Sequence, residues 1–263
     1  MRKYLFILKS EFMSSLQYVF NILFGFIGYA VILFVFFQLW QYLYSDPNEL
    51  INGYTMNEMV WYIIVTEILW SSLGGRKFCT KICNDIKSGN IAYNLCKPYS
   101  YIGYALSSHL GSIIIKTVIY ILLGMVMGFI FLGEFPAISI SSIIVVSISS
   151  LLALVISTLL ILMIGLFSFK IEDAQPFYWL YSKFILIIGT LFPIEFFPEI
   201  VRPILGYSPV FAICYGPAKL FVHFDFFYGL QVIGIQILYL IIVYFLCLCL
   251  YKKGVKKLNV NGG

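Results

Sequence analysis

The sequence predicts an all-α, polytopic membrane protein, and three observations carry that prediction. Of its 263 residues, 61% are hydrophobic and 11% charged, with a mean hydropathy of +0.95. A soluble domain is about 45–50% apolar and about 25% charged. The apolar residues gather in six runs, near the roughly 20 residues a membrane-crossing helix needs. The basic residues collect at alternate ends of those runs, which is how a membrane chain fixes its orientation. No segment left between the runs is long enough for a separate soluble domain.

The chain opens on MRKYLFILKSEFMSSLQ. Polar residues interrupt its apolar positions and it has no small-residue cleavage site, so it does not read as a signal peptide. Leu5, Leu8, Phe12 and Leu16 fall at helical spacing, with Lys3, Lys9 and Glu11 off that stripe. Residues 1–18 are expected as an amphipathic helix lying at the membrane interface; the alternative is the polar start of the first span. Spans are expected at 19–44, 59–75, 105–132, 139–168, 176–194 and 229–251. The first closes on an aromatic belt of Trp40, Tyr42 and Tyr44. A polar, acidic loop (45–58) follows, with a turn at Asp46-Pro47. Glu134 and Pro136 mark the turn between the third and fourth spans. The fourth is an Ile/Ser/Leu run, and small residues let helices approach closely. FKIEDAQP (169–176) is a short polar loop, and KKGVKKLNVNGG reads as a basic, mobile tail. No repeat of fixed period is visible.

With the N-terminus inside, 13 of the 17 basic residues fall on the cytosolic side. They are Arg2, Lys3, Lys9, Arg76, Lys77, Lys81, Lys87, Lys97, Lys170, Lys252, Lys253, Lys256 and Lys257. Arg202 and Lys219 fall outside, and Lys116 and Lys183 within spans. The acids lean the other way, with Asp46, Glu49, Glu58, Glu134, Glu195, Glu199 and Asp225 outside. Six spans with both termini cytosolic satisfy every short loop.

The same residues exclude several functions. There is no Walker A loop, GxSxG or HExxH. Nucleotide hydrolysis would have to come from another chain, and no cofactor or metal is expected here. The net charge of +5 is spread over loop ends, so it is no nucleic-acid signal. Cys79 and Cys83 form a CxxxC without the further His or Cys of a metal set, and all six cysteines read as unpaired thiols. His109 and His223 read as satisfied side chains rather than ligands.

Three ionisable residues fall within expected spans: Glu67, Lys116 and Lys183. Charge inside a membrane is costly and marks a pathway or a buried pair. Glu67 lies about nine residues into the second span, near mid-membrane at a rise of 1.5 Å per residue. The lysines lie two to three turns from the cytosolic ends, where snorkelling is the plain alternative.

RKFCTKICNDIKSGNIAYNLCKPYSY (76–101) is a polar island between the second and third spans. Ile82, Ile86 and, after a Gly89-Asn90 break, Ile91 form an apolar edge, with Lys81, Asp85 and Lys87 around it. Gly89 can end a helix, and Lys97-Pro98 begins an extended turn. The island therefore reads as helix, stop, second short helix, turn; the alternative is a solvated loop.

Two stretches carry a resemblance. NDIKSGNIAYNLCKPYSY resembles the first cytoplasmic segment of ABC-2 type permeases, matching in order at Asp85, Ile86, Gly89, Ile91, Leu95, Lys97 and Pro98. LFPIEFFPEIVRPILGYSPVFAICYGPAKL (191–220) is similar to that family's segment before its last span, through Pro193, Phe196, Phe197, Pro198, Pro209 and Pro217. With the amphipathic start and the six spans, the resemblance covers essentially the whole chain. It implies the membrane subunit of an ATP-binding-cassette exporter with no ATPase of its own. Two six-span permeases, identical or homologous, would pair in the lipid membrane. Each would dock a cytosolic ATPase, which brings ATP and magnesium. The docking helix would be 80–89, with Lys81, Ile82, Asp85, Ile86, Gly89, Ile91, Lys97 and Pro98 as coupling residues. The second and fifth spans would line the route. The family, with the 25 Phe and 20 Tyr, points to an amphiphilic substrate such as a drug, lipid or peptide. Two rivals stand beside this reading. One is an ion-coupled secondary transporter using Glu67, Lys116 and Lys183. The other is a membrane scaffold or immunity protein that transports nothing.

The prolines at 193, 198, 203, 209 and 217 forbid one spanning helix through an otherwise apolar stretch. Both its ends fall outside. It is expected as a re-entrant helical pair with a break near Gly206–Pro209, since irregular backbone at membrane depth must be buried or line a cavity. Pro193, Phe196, Phe197, Pro198 and Pro209 would form an outer gate; the alternative is an interfacial loop.

Overall fold

Short polar stops cut the apolar runs into helices. A computed structural model of the protein describes residues 2–46, 49–136, 139–171 and 173–256. Pro47 and Lys257, named above in the expected turn and tail, lie outside them. Among the described residues there is no strand beyond an isolated bridge between Ile51 and Tyr54.

Helix α1 (Arg2–Leu16) lies along the first half of α6 (Tyr101–Leu132). Gly111 makes the approach possible, since a Cβ there would sit 2.4 Å from the Leu8 carbonyl oxygen. The half-buried face of α1 is Tyr4, Ile7, Leu8, Glu11, Phe12 and Ser15. Leu5, Phe6, Met13 and Leu16 point away and are exposed. The expected stripe is thus split: Leu8 and Phe12 pack on the protein, while Leu5 and Leu16 belong to a second apolar face. The reason is that polar groups on the inner face are used. The Ser100 amide donates to the Tyr4 hydroxyl at 3.0 Å, Ser108 Oγ donates to Glu11 Oε1 at 2.9 Å, and Lys3 donates to the Pro98 carbonyl.

Four helices are long and apolar enough to cross a membrane: α2 (Val19–Leu43), α6, α7 (Ile140–Leu166, extended by a 3₁₀ turn to Phe169) and α11 (Phe226–Val255). They correspond to the first, third, fourth and sixth expected spans. The ends move to where caps lie. Ser100 caps α6 four residues earlier than expected, and the Asp225 side chain caps α11 by accepting from the Tyr228 amide.

The expected second span is α3 (Met56–Leu73), and it is the strut of the bundle. Every residue from Met59 to Leu69 is buried, against α2, α6, α7 and α10 (Gly216–Val222). Its start is fixed by a capping box in which Thr55 accepts from the Glu58 amide and Glu58 from the Thr55 amide. Gly124 and Gly128 of α6 leave room for Ile64, Ile68 and the Trp61 ring.

The expected fifth span is not one regular helix. Helix α8 (Gln175–Ile185) passes into a wide π turn, Leu186–Leu191. Pro193 follows and ends it. The last carbonyls of a helix need outside donors, and α3 supplies them: Tyr62 Oη to Gly189 O at 3.1 Å and Thr66 Oγ1 to Thr190 O at 3.1 Å. Beyond Pro193 come a 3₁₀ turn (Ile194–Phe196), α9 (Arg202–Gly206), a break at Tyr207–Ser208, and a second π turn (Phe211–Tyr215) running into α10. The break falls inside the expected Gly206–Pro209 window. The second π turn packs on the first, where Val210 and Cys214 fill the space over Gly189. Gln236 of α11 ties this segment down by donating to the carbonyls of Ser149 and Ala212 at 3.0 and 2.8 Å.

Candidate functional site

One end of the bundle carries α4 (Gly75–Lys87) and α5 (Asn90–Leu95). The expected island is therefore two helices rather than a solvated loop. Gly74, at φ 55°, turns the chain from α3 into α4 without a break in packing. Gly89, at φ 75°, does the same between α4 and α5. Phe78, Cys79, Ile82, Cys83 and Ile86 form the buried face of α4, set against α7 and α8. A Cβ on Gly165 of α7 would lie 2.8 Å from Ile82 Cβ, so α4 sits directly on that helix. Asp85 accepts from the Tyr101 hydroxyl at 2.8 Å, and Lys87 pairs with Asp173 at 3.7 Å.

The named coupling residues thus divide in two. Ile82, Ile86 and Ile91 are buried and hold the island to its own bundle. Asp85 is half-buried in the same work. Lys81, Gly89 and Pro98 are exposed and Lys97 is partly so, with Lys97 Nζ 4.3 Å from the Tyr93 ring centroid. The open surface also includes Leu95, which the family pattern matched, and Asn84, Lys87, Ser88, Asn90, Tyr93 and Cys96, which it did not single out. Tyr93 is 68% exposed, a large aromatic ring open to solvent apart from the Lys97 ammonium over it. All six cysteines are free thiols. Cys79 and Cys83 lie 4.0 Å apart. Their hydrogen bond pushes the Cys79 thiol up and draws Cys83 down to about 6.

Glu67 lies in the middle of α3 and is 1% exposed. Its Oε2 accepts from Ser71 Oγ at 3.2 Å, and its Oε1 has no partner among the described residues. The three expected intramembrane charges are not brought together. Lys116 sits over the Tyr120 ring at 5.4 Å, and exposed Lys183 over Trp179 at 5.9 Å. The described ion pairs are Lys87–Asp173, Lys219–Glu195 and His223–Glu58. A cavity of about 470 Å³ adjoins α3, bounded by α6, α7 and α10, including Ile64, Ile68, Met125, Ser150 and Phe221. No α8 residue lines it. An unpaired buried polar group commands about 1–3 kcal/mol. Glu67→Gln, which keeps the shape and removes the charge, is expected to shift either the detergent melting midpoint or transport in vesicles on that scale. A variant unchanged in both would leave Glu67 as filling only.

At the opposite end the expected gate residues meet a polar cluster. Pro193 is buried; Phe196 and Phe197 are half-buried, Pro209 likewise, and Pro198 is exposed. The Phe196 ring lies edge-on to Trp40 at 5.5 Å and near Tyr54 at 6.3 Å. Glu195 binds Lys219 at 2.6 Å and accepts from the Tyr54 and Tyr215 hydroxyls. Burial alone would raise its carboxyl. The hydrogen bonds from Lys219 and Tyr215, with the lysine's charge, outweigh that and hold it below the usual carboxylate range. His223 bonds Glu58 at 2.8 Å and stacks on Tyr54 at 5.0 Å. His223 is therefore satisfied, as expected. His109 is satisfied in part: it bonds the Leu73 backbone and stacks on Phe78 at 3.9 Å, while its Nε2 has no partner among the described residues. Tyr54, Tyr215 and Lys219 were not singled out from sequence. Their separation along the chain gives no local signal.

Long apolar helices around a buried strut, a basic end bearing an amphipathic helical pair, and a proline-broken opposite end define a transport-type membrane protein. The family described as ABC-2 family transporter protein matches residues 16–262, and the chain belongs to it. It is the permease, the non-catalytic membrane subunit, of an ABC transporter. Such permeases typically pair with an ATPase subunit. No curated protein matches the chain.

Proposed function

We propose that this chain is one half of an ABC exporter's translocation route. It crosses the membrane six times with both termini cytosolic and is driven by a separate ATPase through α4 and α5. The observation that carries this reading is the two-faced build of α4. Its apolar face is buried on α7 and α8, while Asn84, Lys87 and the Gly89 turn remain open. A push on the open face would reach the bundle without loss in a flexible loop. Charge supports the orientation: Arg76, Lys77, Lys81, Lys87, Lys97, Lys170, Lys252 and Lys253 share the α4 end, while Glu58, Glu134, Glu195 and Asp225 share the other. α3 and the α8–π unit serve as the second and fifth spans, the latter about 25 Å long at a rise of 1.5 Å per residue. Phe177, Leu180, Phe184 and Ile187 form one exposed apolar face of that unit, suited to a second permease. The pair would enclose a route for an amphiphilic substrate. Residues 193–222, pinned by Glu195–Lys219 and Trp40–Phe196, serve as its outer gate.

The test is co-expression with candidate ATPases, capture on the tagged permease, and transport in vesicles. ATP-dependent efflux from the complex is expected. Transport driven by an ion gradient without ATP would identify a secondary transporter, and no transport with any captured ATPase would favour a scaffold.

A further inference from the structure

A second cavity, of about 680 Å³, lies between α1, α2, the α3–α4 junction and α6. It differs in kind from the apolar cavity beside α3. Lys77, Lys81 and Lys116 line it from two helices, and Glu11 is the one acid on its wall. Glu11 is already engaged by Ser108 Oγ, to which Lys81 also donates at 3.4 Å. Among the described residues none of the three lysines has a carboxylate within ion-pair distance. His109 lines the same cavity, is nine-tenths buried, and leaves its Nε2 without a partner. Three ammonium groups around one space repel each other unless an anion lies between them.

We propose that this cavity binds the phosphate of an anionic membrane lipid. The place fits the ligand. The outward face of α1, with Phe6 73% and Leu5 65% exposed, suits the boundary between headgroups and acyl chains. The cavity opens along α2 through Tyr18, Ile22 and Gly25, one helical face on which an acyl chain can lie. Lys116 stands eight residues, about 12 Å, beyond Ser108 along α6, so Lys77 and Lys116 close on the phosphate from the rim and from below. Lys116 Nζ lies 3.8 Å from where a Gly74 Cβ would be. A bound phosphate there would brace the joint between α3 and α4.

The purified full chain in detergent is titrated with phosphatidylglycerol, phosphatidylcholine or inorganic phosphate. Binding is read by native mass spectrometry and melting midpoint. Phosphatidylglycerol is expected to bind and stabilise, phosphatidylcholine far less. Each of Lys77→Gln and Lys116→Gln is expected to weaken it about fivefold, the worth of one lysine near anionic lipid. Lys252→Gln, at the exposed end of α11 and off the cavity, is expected to change nothing. If inorganic phosphate alone binds with the same lysine dependence, the site stands and its source is soluble. Equal retention of both lipids, or retention of phosphatidylglycerol unaffected by Lys77→Gln and Lys116→Gln, would overturn the proposal.

Discussion

Asn84→Pro is expected to leave the permease in the membrane and to strip it of the ATPase proposed to dock on α4. Asn84 is exposed and lies inside α4, off its buried face. The substitution therefore acts on the backbone alone. Proline removes one amide donor and collides with the preceding turn, at about 3 kcal/mol in a helix interior. That is roughly a hundredfold in the population of intact α4. The break also divides the buried face of this 13-residue helix, with Phe78, Cys79, Ile82 and Cys83 before it and Ile86 after it. Asn84→Ala, which favours helix, is the control and should retain the ATPase. Co-purification and stimulated ATP hydrolysis are the readouts. Normal stimulation of the ATPase by Asn84→Pro would remove α4 from the coupling path. Gly165→Val approaches the same joint from the bundle. A Cβ already meets Ile82 at 2.8 Å, so the larger side chain levers α4 away, at the 1–3 kcal/mol typical of overpacking.

Much of this fold is legible in sequence because lipid demands long apolar helices. α2, α6, α7 and α11 announce themselves by length and composition. The expected second and fifth spans are harder, and for one reason. α3 carries Asn57, Glu58, Thr66 and Glu67, which look like weaknesses in a span. In the structure Glu58 closes the cap, and Thr66 and Tyr62 hold the last carbonyls of the π turn that follows α8. The unit from α8 to Leu191 is irregular where α3 supplies its donors, and that dependence is invisible in either stretch alone. The island shows a related gap. Periodicity identified Ile82, Ile86 and Ile91 as one edge, but could not say whether the edge faces a partner or the protein's own core. Burial places it inward, and the open surface falls to Asn84, Tyr93 and Leu95. Glu67, Lys116 and Lys183 were grouped because each is costly in a membrane, yet cost is a property of a residue and contact is not.

Lys219→Met is expected to loosen the outer end and to weaken the seal of the route. Glu195 sits 24 positions before its partner, and among the described residues Lys219 is the one cation paired with it. Removal of the lysine leaves a partly buried carboxylate held by the Tyr54 and Tyr215 hydroxyls and a backbone hydrogen bond. Breaking a fully buried pair from one side costs about 3–5 kcal/mol. With both side chains about a quarter exposed, solvent screening brings the expectation down to roughly 1–2 kcal/mol. The pH dependence has a definite sign. The folded carboxyl of Glu195 titrates below its ordinary value, so its stabilisation is fully present above the unfolded value of about 4.3. It is lost as the pH falls through the lower, folded value. In Lys219→Met the lysine's hydrogen bond and charge are gone and burial, which raises the carboxyl, counts for more, so the stability lost on acidification is smaller than in the wild type. Melting midpoints of both proteins from neutral pH down to the acid range, with substrate leak measured in sealed vesicles, provide the check. A wild-type pH profile retained in Lys219→Met would mean that Glu195 and Lys219 do not act as a pair. A shifted profile with no added leak would keep the pair as structure and take the gate away from it.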